Sequence, residues 1–102
     1  MKGQKMDIDW RTVQMFLSED GVCEVQIDVE NNKKVRCSCP SFMSRARCKH
    51  VNYVKEHMEK NEGHYAIRIP ENVPDEEAYE AMANSEAFRQ FIIKYAPVEV
   101  LE

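Results

Sequence analysis

Fourteen residues decide the fold: Cys37-Ser38-Cys39-Pro40-Ser41-Phe42-Met43-Ser44-Arg45-Ala46-Arg47-Cys48-Lys49-His50. They read as Cys-x-Cys, eight intervening residues, then Cys-x-His. On a strand, residues i and i+2 point the same way, so Cys37 and Cys39 project from one face. On a regular helix each residue turns about 100°, which sets i and i+2 roughly 200° apart. Cys48 and His50 therefore cannot converge from mid-helix positions. The helix must begin between them, with Cys48 in the approach and His50 in the first turn. Pro40 has no N–H for a ladder and ends the preceding strand. The stretch thus joins the end of a strand to the start of a helix through a connection over 41–47.

Three thiolates and one imidazole form a closed tetrahedral set that suits a structural Zn²⁺ and leaves no position for a reacting water. Cys37, Cys39, Cys48 and His50 are the expected ligands. A disulfide would need an oxidising compartment. A Cys-x-Cys redox pair would leave Cys48 and His50 unexplained. Cys23 lies outside the pattern and reads as a packed free thiol. His57 is two helical turns from His50, about 10 Å along the axis, and too far to share its metal.

Working outward towards the N-terminus, the chain alternates with period two. Val13, Met15 and Leu17 form one set, with Phe16 on the other side; Cys23, Val25, Ile27 and Val29 form the next, and Val35, Cys37 and Cys39 the last. Such alternation predicts an antiparallel meander with one buried face. Leu17 opposite Cys23 leaves a three-residue loop with Gly21 at its left-handed position. Val29 opposite Val35 leaves a second loop, Asn31-Asn32-Lys33.

Towards the C-terminus, Val51, Val54 and Met58 recur at helical spacing, and the helix should end near Asn61 and Gly63. Tyr65, Ile67 and Ile69 alternate and predict a fourth strand over 64–70. Pro74 followed by Asp75-Glu76-Glu77 opens a further helix, with acids placed where the dipole favours them. That helix either runs on to Tyr95, or breaks at Asn84-Ser85 with Ser85 capping a second helix. Pro97 ends it in both readings. The expected architecture is α+β: a metal-stabilised βββα unit over about 10–61, then a strand and a helical extension over about 71–102, in a single domain over 1–102.

The whole chain has 102 residues, 43% hydrophobic and 31% charged, with a formal charge of -4. That composition fits one ordinary globular domain and excludes a chain disordered throughout. No apolar run approaches the roughly 20 residues of a membrane span. The first seven residues have no apolar core of a secretory signal, so a reducing intracellular compartment, cytoplasm or nucleoid/nucleus, is expected. The mean charge conceals a basic middle. Residues 33–55 carry seven Lys and Arg and no acid, between acidic arms. Lys33, Lys34, Arg36, Arg45, Arg47 and Lys49 are the candidate nucleic-acid contacts.

The Cys-x-Cys…Cys-x-His arrangement, with Pro after the second Cys and Lys between the last Cys and His, resembles the SWIM-type zinc finger over roughly residues 10–61. The resemblance implies strands followed by a helix, zinc on Cys37, Cys39, Cys48 and His50, and Phe42 as the aromatic packed beside the site. It also implies binding to DNA or to proteins rather than catalysis. No nucleophile–base pair stands out, which agrees with a chain that is not an enzyme. Two functions follow as expectations. The basic zinc loop binds nucleic acid, DNA foremost, or else the basic face meets an acidic protein partner or the C-terminal helix docks in a partner's groove. Neither a membrane nor a small-molecule substrate is expected.

Overall fold

The computed structural model describes residues 8–101. Three antiparallel strands, β1 (Trp10–Ser18), β2 (Gly21–Asp28) and β3 (Asn31–Cys37), form a sheet in the order β1-β2-β3. Four helices follow: α1 (Pro40–Arg45), α2 (Lys49–Glu59), α3 (Asp75–Ala81) and α4 (Ser85–Tyr95). The architecture is α+β. The sheet is the middle layer, because each of its faces buries a separate apolar cluster. On one face Val13, Phe16, Val25, Ile27 and Val35 pack against Val51, Val54 and Met58 of α2. On the other, Met15 packs against Ala81, Phe88 and Ile92.

This double burial corrects the expected register of β1. Phe16 pairs with Cys23, Leu17 with Val22 and Ser18 with Gly21, one residue away from the alternation reading. The slip turns Phe16 fully inward and leaves Leu17 49% exposed. A strand covered on both sides has no polar face to mark its phase, and the larger aromatic side chain takes the deeper core. The turn shrinks to Glu19-Asp20, with Gly21 at φ 102°, a conformation that costs glycine little. The Ser18 hydroxyl donates to the Gly21 carbonyl and accepts the Asp20 N–H. A bulge at Val13, between Thr12↔Gln26 and Gln14↔Val25, resets the ladder so that Val13 joins the α2 side.

The second hairpin is shifted as well. Val25 pairs with Cys37 and Ile27 with Val35, so Val29 lies in the turn and is exposed. The shift spans two residues, an even number, and each side chain keeps its expected face. The Asp28 carboxylate accepts the Glu30 N–H and the Asn31 side-chain oxygen accepts the Lys33 N–H, which stabilises the tighter turn. Residues 32–34 bulge out without partners on β2.

No fourth strand forms over 64–70. The segment gives Tyr65 to the α2 core and Ile67 to the α4 core, so its alternation reflects a chain wrapping between two cores. The Tyr65 hydroxyl donates to the buried Gln14 side chain at 2.9 Å, and Gln14 in turn donates to the Pro97 carbonyl. The ladder position is taken instead by Glu99, whose N–H donates to Met15 and whose carbonyl accepts from Leu17. Of the two C-terminal readings, the broken helix is correct. Its cap is Asn84 rather than Ser85, with the Asn84 oxygen accepting the Ala87 N–H at 2.7 Å.

An ion pair fastens α4 to the sheet. Two guanidinium nitrogens of Arg89 donate to the two carboxylate oxygens of Glu24 on β2, at 3.0 and 2.7 Å. The Arg89 hydrogen bonds hold the Glu24 carboxyl below its ordinary pKa. A carboxylate whose folded pKa is depressed stabilises the fold above its unfolded pKa and loses that contribution as pH falls through the folded value. Replacing Glu24 with Gln is therefore expected to cost about 1 kcal/mol at neutral pH, since both groups remain partly solvated. Urea titrations of the wild type and Glu24→Gln should show that difference shrinking as the wild-type carboxylate protonates.

Candidate metal centre

Local structure brings the four ligand-type residues together. Cys37 ends β3, and Cys39 follows in extended geometry as the N-cap of α1. Pro40 is pre-set for the first turn of that helix, so the connection expected over 41–47 contains a short helix. Ala46 closes it in the left-handed region at φ 59°, donating its N–H to Phe42 at 2.7 Å. The chain then reverses through an extended Cys48, which caps α2 by accepting the Val51 N–H on its sulfur. His50 lies in the first turn of α2, where the spacing argument placed it.

All four side chains are buried, and their ligand atoms lie within 4.8 Å of one another. His50 turns Nδ1 towards the sulfurs, 3.6 Å from Cys37 Sγ. Metal–sulfur and metal–nitrogen bonds of about 2.3 and 2.0 Å imply tetrahedral edges of about 3.5–3.8 Å. The cluster therefore fits a metal ion after a contraction of roughly an ångström or less.

The protonation chemistry points the same way. Burial pushes the Cys37 and Cys48 thiols up. Burial also acts on Cys39, but the backbone N–H groups of Phe42 and Ser41 and hydrogen bonds from the neighbouring thiols outweigh it and bring Cys39 down. His50 is lowered, chiefly by burial and then by Lys49, which favours the neutral imidazole that a metal requires. A bound cation favours the thiolate form of all three cysteines and displaces their protons.

Phe16 is the supporting residue that alternation missed. Its ring centroid lies 4.8 Å from that of His50 and 5.5 Å from that of Tyr53. The acidic turn Glu19-Asp20 was also hidden, because linear charge counting assigned it to a distant arm. It borders a hollow of about 310 Å³ with Cys39, Cys48, Lys49 and His50. Nothing local in the sequence signals that approach.

Cys23 stays outside the cluster, buried with its sulfur 3.7 Å from the Ser18 hydroxyl. His57 is exposed and bonded through Nδ1 to the Tyr53 carbonyl.

The six basic candidates divide into groups. Arg45, Arg47 and Lys49 are exposed in and just after the ligand loop, with the Lys49 ammonium donating to the Leu101 carbonyl. Lys34 and Arg36 are also exposed, and the Arg36 guanidinium carbon lies over Trp10, 4.4 Å from the ring centre, while Arg36 donates to Gln26. Lys33 is separate, lining a hollow with Lys55 at the far end of α2.

Comparison of the chain with family models, curated proteins and solved structures gives no match. Among the described residues no helix is long and apolar enough to cross a membrane.

Proposed function

We propose that the chain is a SWIM-type zinc module, non-catalytic, that binds nucleic acid, DNA foremost, through the basic loop between its second and third ligands. The observation that carries the reading is the convergence of Cys37, Cys39, Cys48 and His50 into one buried donor set. Three sulfurs and an imidazole favour Zn²⁺ by softness and by tetrahedral preference, and such a site is structural rather than hydrolytic. A reducing intracellular compartment would keep the three thiols available.

Arg45, Arg47 and Lys49 supply the binding face. Among the described residues none of them is engaged in an ion pair. Three thiolates on Zn²⁺ give a centre of net charge -1, which accounts for one nearby cation but not for the whole basic run. Phe88 and Ile92 of the C-terminal helix are buried against the sheet.

Fluorescence anisotropy with labelled DNA and RNA at two salt concentrations tests the reading. The Arg45→Ala/Arg47→Ala double variant should bind roughly tenfold more weakly near physiological salt. It should also reduce the slope of log K against log salt by about 1.5–2. Equal binding by the double variant, or no binding at low salt, overturns it.

A further inference from the structure

We infer that the hollow between the β3 edge and α1 is a seat for an unpaired nucleobase, and that the module's ligand is single-stranded nucleic acid; this deepens, and rests on, the nucleic-acid reading above. The hollow has a volume of about 460 Å³ and is lined by Gln26, Arg36, Cys37, Ser38, Phe42 and Met43. That volume is in the range of sites that take small planar ligands. Its walls are mostly hydrocarbon, ring and thioether, with no carboxylate. Phe42 is half-buried, packing one side on the core while its remaining surface lines the hollow, and Met43 is 75% exposed at the rim.

Charge complementarity identifies the occupant. Arg36 stands in the wall with its Nε held by Gln26 and its guanidinium over Trp10. Arg45 ends α1, and Lys34 and Arg47 are exposed on the flanking segments. An apolar recess with a guanidinium in its wall, and further cations on the strand and helix that form it, is the combination that grips a phosphate backbone while stacking its bases.

Duplex readout by a helix is poorly served. A recognition helix enters the major groove along an exposed face. The six residues of α1 give a helix only about 9 Å long. The first turn of α2 is committed to Cys48 and His50, and its exposed face mixes Lys55 with Glu56 and Glu59. The buried face of α4 lies on the sheet.

The test uses the metal-loaded full chain and three labelled probes of one length: a single strand of about ten nucleotides, the same sequence as a duplex, and an abasic single strand. The expected result is binding of the base-bearing single strand roughly tenfold tighter than either other probe. Met43→Ala and Phe42→Leu should each lower that affinity about five- to tenfold while leaving the salt slope unchanged. Met43 is exposed, so an unchanged thermal midpoint for Met43→Ala keeps the result interpretable should Phe42→Leu lose stability. Equal binding of abasic and base-bearing strands, or of duplex and single strand, overturns the base seat and leaves the phosphate-binding loop standing. Binding of none of the three at low salt overturns both readings. Displacement by a polyglutamate peptide that is itself weakened by Met43→Ala assigns the hollow to an acidic protein and likewise overturns the base seat.

Discussion

Removal of the metal is expected to unfold the segment from β3 through α2 at 25 °C, while α4 keeps part of its protection. α1 buries no residue of its own, and a six-residue helix is far below the length that holds together alone in water. Apart from the half-buried Phe42, its attachments are Cys39 at one end and Cys48 just beyond the other. α2 does carry an apolar stripe, Val51, Val54 and Met58, but its first turn is fixed by Cys48 and His50. A structural zinc site contributes on the order of 10–16 kcal/mol of apparent binding free energy at neutral pH. A domain of this size has about 5–15 kcal/mol of net stability in all. The two magnitudes are comparable, so the metal-free chain has little left to hold α1 and α2 in place. The α4 side rests on Met15, Ala81, Phe88 and Ile92 and does not touch the ligands. Native mass spectrometry should show one metal per chain. Hydrogen exchange after chelation should then show protection lost in β3, α1 and α2 before α4. Cys39→Ser should reproduce the chelated state. A metal-free chain that unfolds cooperatively at the wild-type midpoint would overturn the assignment.

The parts of this fold legible in the sequence were those set by local geometry. The spacing of Cys37, Cys39, Cys48 and His50 constrains strand and helix periods so tightly that it located the strand end and the helix start. The acid-rich first turn after Pro74 marked a helix start in the same local way, whereas the polar pair Asn84-Ser85 left a continuous and a broken helix both open. What escaped was decided by tertiary partners. β1 is covered on both faces, so its polarity pattern carried no phase, and Leu17 stood in for Phe16. Tyr65 and Ile67 alternate because they serve two different cores, and a strand was inferred where the chain only passes between them. The approach of Glu19-Asp20 to the metal centre depends on the hairpin's final register, which was itself misread by one residue.

That misread residue carries the second large effect: Phe16→Ala is expected to cost about 3–5 kcal/mol, the range for an aromatic removed from a packed core. Phe16 is fully buried, stacked at a tilt on His50 and edge-on to Tyr53. Loss of the ring opens a cavity directly behind a metal ligand and frees His50 to rotate away from the three sulfurs. Metal affinity should therefore fall roughly tenfold or more, as it does when groups that orient a ligand are removed. Leu17→Ala is the control, because it deletes a similar apolar side chain one position along the same strand. Leu17 is half-exposed, so its loss should cost under about 1 kcal/mol and leave metal affinity unchanged. Chemical denaturation of both variants, with a competitive chelator titration beside it, reads the register of β1 in solution. If Leu17→Ala were the more damaging substitution, Leu17 rather than Phe16 would face α2, and the pairing of Phe16 with Cys23 would be wrong. The contrast holds even if both variants stay folded, since of the two residues only Phe16 packs directly on His50.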